Sequence, residues 1–94
     1  MLTYQLFYSS HCPDTDAFVT ELDRLPIKYQ SIDITASMAN LKQFLALRDK
    51  QDAFVPAKER GQVGIPVLVG PQGVFIFDQA QLQGLVKEGH DLHE

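Results

Sequence analysis

Between Tyr8 and Pro13 the hydrophobic period of this 94-residue chain changes from two to that of a helix, with only Ser9-Ser10-His11-Cys12 to make the turn. From Leu2 to Tyr8 the side chains alternate. Leu2, Tyr4, Leu6 and Tyr8 fall on one face and Thr3, Gln5 and Phe7 on the other, which reads as a strand. From Pro13 to about Arg24 the pattern is helical: Phe18, Leu22 and Leu25 share a face while Asp16, Thr20 and Asp23 point away, and Pro26 closes the helix. The segment from Lys28 to Ile34 is again rich in β-formers, with Tyr29, Ile32 and Ile34. A strand that returns through a helix is by default a parallel βαβ unit, so the first third of the chain already demands a sheet with a helix packed on it.

The remainder extends that plan. Ser37 is placed to cap a second helix running to about Asp49, with Met38, Leu41, Leu45 and Arg48 on one side and Phe44 flanking them. Between Lys50 and Gly61, Phe54 and Val55 are apolar, and Pro56 to Arg60 reads as a short helix stopped by Gly61. Two apolar runs, Ile65 to Val69 and Val74 to Phe77, flank Gly70-Pro71-Gln72-Gly73 and predict a buried hairpin. Asp78 then caps a last helix, with Gln81 as its reciprocal partner, an inward stripe of Leu82, Leu85 and Val86, and Gly89 as its end. This order, βαβ-α-ββα, predicts one α/β domain over residues 1–89 with helices on both faces of the sheet; residues 90–94 read as a polar tail.

Charge narrows the function. The net charge is −4 and the basic residues are scattered from Arg24 to Lys87, so no basic face for nucleic acid is expected. No stretch approaches the ~20 apolar residues of a membrane span. Met1 leads straight into mixed polar and apolar residues without a charged and then apolar leader, which predicts a cytoplasmic protein. His90 and His93 lie three apart with no cysteine near them, and read as part of a frayed terminus rather than a metal site. A monomer is expected.

Cys12 is the one cysteine, so no disulfide can form within the chain. Its position at a strand-to-helix junction is where a thiol gains reactivity: a helix start favours thiolate over thiol, and Pro13 suits the first helical position, where its missing N–H costs no bond. Free cysteine is also often a small buried hydrophobe, and that reading stays open. His11 is expected on the rim of the site, where an imidazolium close to the sulfur would add to the helix-start effect. Thr15, three residues on, either donates its hydroxyl to the sulfur or back-bonds to the main chain.

With a Cys-Pro-x-Thr helix start, a βαβ unit and Ile65-Pro66 opening a hairpin, the chain resembles the glutaredoxin family over about residues 2–88. It is most similar to the small bacterial glutaredoxin-related proteins, which share the Cys-Pro-Asp-Thr start and a Gly-Ile-Pro segment. The resemblance implies a three-layer thioredoxin-like α/β fold around a central four-stranded mixed sheet. It also implies that Pro66 is a cis proline beside the thiol and that the backbone at Ile65 pairs with a bound peptide or glutathione; an ordinary trans proline at a strand start is the alternative. The second cysteine of the dithiol motif is Thr15 here, and Ser9 and Ser10 stand where many relatives carry a basic residue. The Gly-Gly and paired acidic residues that hold glutathione in relatives align with Phe77-Asp78 and Ala80-Gln81.

The resemblance implies a monothiol thiol–disulfide oxidoreductase acting on mixed disulfides through Cys12, supported by Pro13, Thr15 and His11, with substrate against Ile65 and Pro66. No tightly bound cofactor or metal is expected. Glutathione or another low-molecular-weight thiol would be the cosubstrate. Two binding readings stand beside it: an iron–sulfur cluster held by Cys12 of two chains with two external thiols, and a peptide-binding adaptor without turnover. A reading as an arsenate reductase has less behind it, because Arg24, Arg48 and Arg60 form no anion-binding pattern.

Overall fold

The first strand, β1 (Tyr4–Tyr8), runs parallel to β2 (Tyr29–Asp33) on one side and antiparallel to β3 (Val67–Val69) on the other, in a computed structural model that describes residues 4–87. A short β4 (Phe75–Ile76) pairs antiparallel with β3 and completes the order β2-β1-β3-β4. The result is a small mixed α/β domain. Register follows the alternation read from the sequence: Phe7 lies opposite Ile32 and Val67, while Leu6 lies opposite Leu68.

Because successive side chains point to opposite faces, the central strands feed two separate cores. On one face Tyr4, Leu6, Leu68 and Ile76 pack with Phe18 and Leu22 of α1 (Thr15–Leu22) and Leu82 of α4 (Gln79–Lys87). On the other, Phe7, Ile32, Ile34 and Val67 pack with Phe44 of α2 (Met38–Lys50) and with Phe54, in a 3-10 turn over Asp52–Phe54. The crossover between parallel β1 and β2 carries α1 over the first face and α2 covers the second, so the central strands are buried on both sides.

Several local expectations hold. Ser37 caps α2, its Oγ accepting from Asn40 N at 3.1 Å. The short α3 (Val55–Glu59) ends at Gly61, whose φ is +69°; Gly61 N bonds Lys58 O at 3.0 Å and Gln62 N bonds Ala57 O at 2.8 Å, the paired bonds of a Schellman stop. Asp78 Oδ1 accepts from Gln81 N at 3.0 Å, as expected of a cap, although the Gln81 side chain returns to Phe77 N at 2.9 Å rather than to Asp78 N. The hairpin is present with shorter strands, and Pro71–Gly73 forms a 3-10 turn between them.

Other expectations need correction. Helix α1 starts at Thr15, not Pro13, and ends at Leu22 rather than near Arg24. Ile34 lies beyond β2 yet is buried, because the turn after the strand still sits over the second core. In α2 the anchor is Phe44, fully buried, whereas Met38 is 68% exposed. Met38 is the first residue of that helix, six residues before the buried Phe44. Leu85 and Val86 belong to the α4 backbone, their side chains outside what is described, and Gly89, His90, His93 and the remaining tail lie outside the described residues.

The two α2 positions make a direct test of this packing. Phe44→Ala should cost about 3–5 kcal/mol by leaving a cavity among aromatic neighbours, while Met38→Ala should change stability by less than about 0.5 kcal/mol. Urea unfolding monitored by circular dichroism measures both.

Candidate functional site

Ser9, at the end of β1, organises the loop that carries Cys12. It is only 4% exposed, so each of its polar groups needs a partner. Its carbonyl accepts from Cys12 N at 3.0 Å and from the Thr15 hydroxyl at 3.1 Å. Its hydroxyl oxygen accepts from His11 N at 3.1 Å and lies 3.0 Å from Thr35 Oγ1. Thr35 spends its own hydroxyl proton on Asp33 Oδ1 at 2.6 Å, so the proton between Ser9 and Thr35 comes from Ser9. A single directed chain therefore runs from His11 N–H through Ser9 and Thr35 to the Asp33 carboxylate.

Thr15 thus takes its backbone alternative. Its one hydroxyl proton goes to Ser9 O, not to the Cys12 sulfur, and the side chain is buried. Cys12 also stands outside the first turn of α1: Asp14 is the N-cap, Pro13 precedes it, and Thr15 N bonds Cys12 O at 3.3 Å to close a turn ahead of the helix. Pro13 is consequently a turn residue rather than the first residue of the helix, a place its fixed φ suits equally well. The dipole effect fades beyond the first turn, so the expectation that the helix start faces the sulfur needs this correction.

Asp33 is the group in this network whose titration is displaced. Its carboxyl is held below the usual carboxylate range, chiefly by the Thr35 hydroxyl, then by Thr35 N–H at 2.9 Å, with Ser10 contributing. Accepting bonds favours the charged form.

Cys12 is partly buried and lines an open cleft of about 1010 Å³. His11, Pro13, Ile65 and Pro66 line the same cleft, so the residues singled out in the sequence meet there, except Thr15. His11 is exposed on its wall, as expected. The Ile65–Pro66 bond is cis, also as expected, and both residues precede β3 rather than beginning it.

The opposite wall comes from the segment after α3. Arg48 of α2 secures this segment through Nε to Val63 O at 2.8 Å and Nη2 to Gln62 O at 2.7 Å. Gly64 has φ +100°, and a Cβ there would stand 3.0 Å from the Phe54 ring, so glycine lets this wall lie against the second core. Half-exposed Val63 lies on the same wall. Among the described residues no group of three or more His, Cys, Asp or Glu side chains is arranged to hold a metal, and no helix is long and apolar enough to cross a membrane.

Ser9, Thr35 and Asp33 were not singled out as site residues in the sequence. Asp33-Ile34-Thr35 did carry a signal: aspartate two residues before a threonine is a side-chain turn in which the carboxylate captures the N–H two residues on. Ser9 carried less, since only its burial reveals its role.

Two outcomes test this loop. Thr15→Val, which keeps the shape but removes the proton donated to Ser9 O, should destabilise by about 1 kcal/mol relative to wild type, and Thr15→Ser should restore most of it; urea midpoints decide. Asp33 should titrate below an ordinary aspartate by NMR, and Thr35→Val should raise its midpoint. The sign is that of a depressed carboxylate: its stabilising effect is present above the unfolded-state value and is lost as pH falls through the folded one.

No protein-family model matches the chain, and no solved structure does. A Haemophilus influenzae protein described as an uncharacterized protein is 46% identical over 78 residues, which span 83% of this chain and 91% of that protein. Identity of that level across nearly the whole of both chains means that this protein belongs to the same family as its Haemophilus influenzae relative.

Proposed function

We propose that this chain is a monothiol thiol–disulfide oxidoreductase of the glutaredoxin type, built on a thioredoxin-like fold and acting in a reducing compartment such as the cytoplasm. The observation that carries the reading is the meeting of Cys12, Ile65 and Pro66 on one open cleft. A four-stranded mixed sheet with helices on both faces supports the fold assignment. Cys12 is a free thiol, partly buried and accessible from the cleft.

In the first step the Cys12 thiolate attacks one sulfur of a disulfide RS–SR. The Cys12–SR bond forms, the RS–SR bond breaks, and the other sulfur leaves as RS⁻ with the bonding electron pair. In the second, an external thiolate R′S⁻ attacks the R sulfur of the mixed disulfide, releasing Cys12 thiolate and R′S–SR. Each exchange conserves electrons. The two steps together consume one external thiolate and yield one RS⁻ and R′S–SR. A second R′S⁻ then attacks the R′ sulfur of R′S–SR, releasing the other RS⁻ and leaving R′S–SR′, and a chain with one cysteine needs that external partner at every turnover.

The residues around the sulfur have positional roles. Ser9 O holds Cys12 N and fixes the loop, and Pro13 turns the chain into α1. His11 is exposed on the cleft, and Ile65 and Pro66, which line it with Cys12, would form the wall against which the attacked disulfide lies. Pre-aligning the two sulfurs raises their effective concentration, the main gain such a site can offer.

Mass spectrometry of the full chain mixed with 2-hydroxyethyl disulfide tests the proposal. Wild type should acquire one mercaptoethanol adduct at a rate at least about tenfold above that of free 2-mercaptoethanol at the same pH, the scale of a modest proximity effect. Added thiol should remove the adduct, and Cys12→Ser should acquire none. A rate no faster than the free thiol would overturn the proposal.

A further inference from the structure

The cleft is negative where substrate would lie, and it already holds a carboxylate of its own at the place best suited to bind one. A free helix N-terminus attracts anions because its first N–H groups lack partners and its dipole is positive. At α4, which borders the cleft through Asp78, Gln79 and Gln81, that place is taken. Asp78 Oδ1 accepts from Gln81 N at 3.0 Å, and Gln81 Oε1 accepts from Phe77 N at 2.9 Å. An incoming carboxylate would have to displace the chain's own groups and approach the Asp78 charge.

Asp14 adds a second charge by an independent route. It is the N-cap of α1, but its side chain makes no capping bond, and it stands exposed on the cleft two residues from Cys12. Among the described residues that line the cleft, Arg60 is the one lysine or arginine. Its guanidinium is exposed, follows α3 and gives Nε to the neutral Gln62 Oε1 at 3.1 Å, and one such charge against two carboxylates leaves the described lining net negative. The rest of the wall, from Ala53 and Pro56 to Val63, Ile65 and Pro66, carries no charge.

We infer that Asp14 and Asp78 are charge-selecting residues, and that the cleft takes disulfides which are neutral or cationic beside the sulfur in preference to those carrying carboxylates. This rests on the thiol–disulfide reading above and deepens it. The preferred partner class is an aminothiol, a hydroxythiol, or a cysteine in a neutral or basic peptide, and glutathione, with its two carboxylates, becomes a poor one.

The test compares three symmetric disulfides on the full chain: cystamine as dication, 2-hydroxyethyl disulfide as neutral, and 3,3′-dithiodipropionate as dianion. Mass spectrometry gives the rate of adduct formation on Cys12 at about pH 8, where free imidazole is uncharged. Each rate is divided by that of 2-mercaptoethanol with the same disulfide. The cation should exceed the dianion by about tenfold at low ionic strength, and about 0.5 M salt should compress the range, as screening requires.

Asp14→Asn and Asp78→Asn should each raise the ratio of dianion to neutral rate by about threefold, the size of one unit charge acting across a water-exposed site. Asparagine retains a capping oxygen at position 78, and circular dichroism confirms that the variant is folded. Equal normalised rates for dianion and dication, or variants that leave the ratio unchanged, would overturn the inference even if every disulfide reacts quickly. Failure of the oxidoreductase reading looks different: the neutral disulfide reacts no faster with Cys12 than with free 2-mercaptoethanol, whereas the ratio of normalised cation to dianion rates still decides whether the carboxylates select by charge.

Discussion

The Cys12 loop depends on one buried polar residue, Ser9. A serine with both carbonyl and hydroxyl taken from water costs stability unless every group finds a partner, and here each does. Its carbonyl joins the loop to the start of α1, and its hydroxyl joins the same loop to the turn after β2. The parallel pairing of β1 and β2 makes this possible, because it brings the C-terminal ends of both strands to the same edge of the sheet. Open α/β sheets place ligand sites at that edge for the same reason. Leaving any of these groups unpaired would cost the loop more than the bond itself, so the position of Cys12 is set by the fold and not by the cysteine.

The facing wall is held by a different force. Phe7, Phe44 and Phe54 form a chain of ring contacts with centroids 5.6 and 5.7 Å apart, and Phe54 also meets Phe75 and Phe77 edge to face. Phe77 is itself on the cleft, so the second core runs continuously to the site. Gly64 lies against the Phe54 ring, and Arg48 grips the two residues before it. One wall is therefore polar and hydrogen-bonded, the other apolar and packed. Cys12 lies between the two, with the Asp14 and Asp78 carboxylates on the same cleft.

Much of this was legible in the sequence because it is local. The alternation in β1, the Ser37 and Asp78 caps and the Gly61 stop each depend on a few neighbouring residues, and each is present. The meeting of Cys12 with Ile65 and Pro66 was legible through family resemblance, since no local pattern joins residues so far apart in sequence. The features that escaped depend on tertiary partners. Thr15 had two acceptors open to it, and only the curl of the Ser9 carbonyl over the helix start decides between them. Met38 shares the expected helical face and Phe44 flanks it, yet Phe44 is the buried one, because burial depends on how the helix meets the sheet and not on its period alone. Pro13 suits the first position of a helix, whereas an added turn moves the start to Thr15 and leaves Cys12 upstream. Ser9 gave no sign of burial, because a serine after a strand is ordinarily a surface turn residue.

The central claim is that a rigid loop presents Cys12 to a preformed cleft. The structure of the chain trapped as a mixed disulfide between Cys12 and 2-mercaptoethanol tests this most directly. The added group should lie in the cleft against Ile65 and Pro66, with the bonds from Cys12 N and Thr15 Oγ1 to Ser9 O unchanged. An adduct directed away from Pro66, or a loop that must leave Ser9 to accommodate it, would contradict the claim.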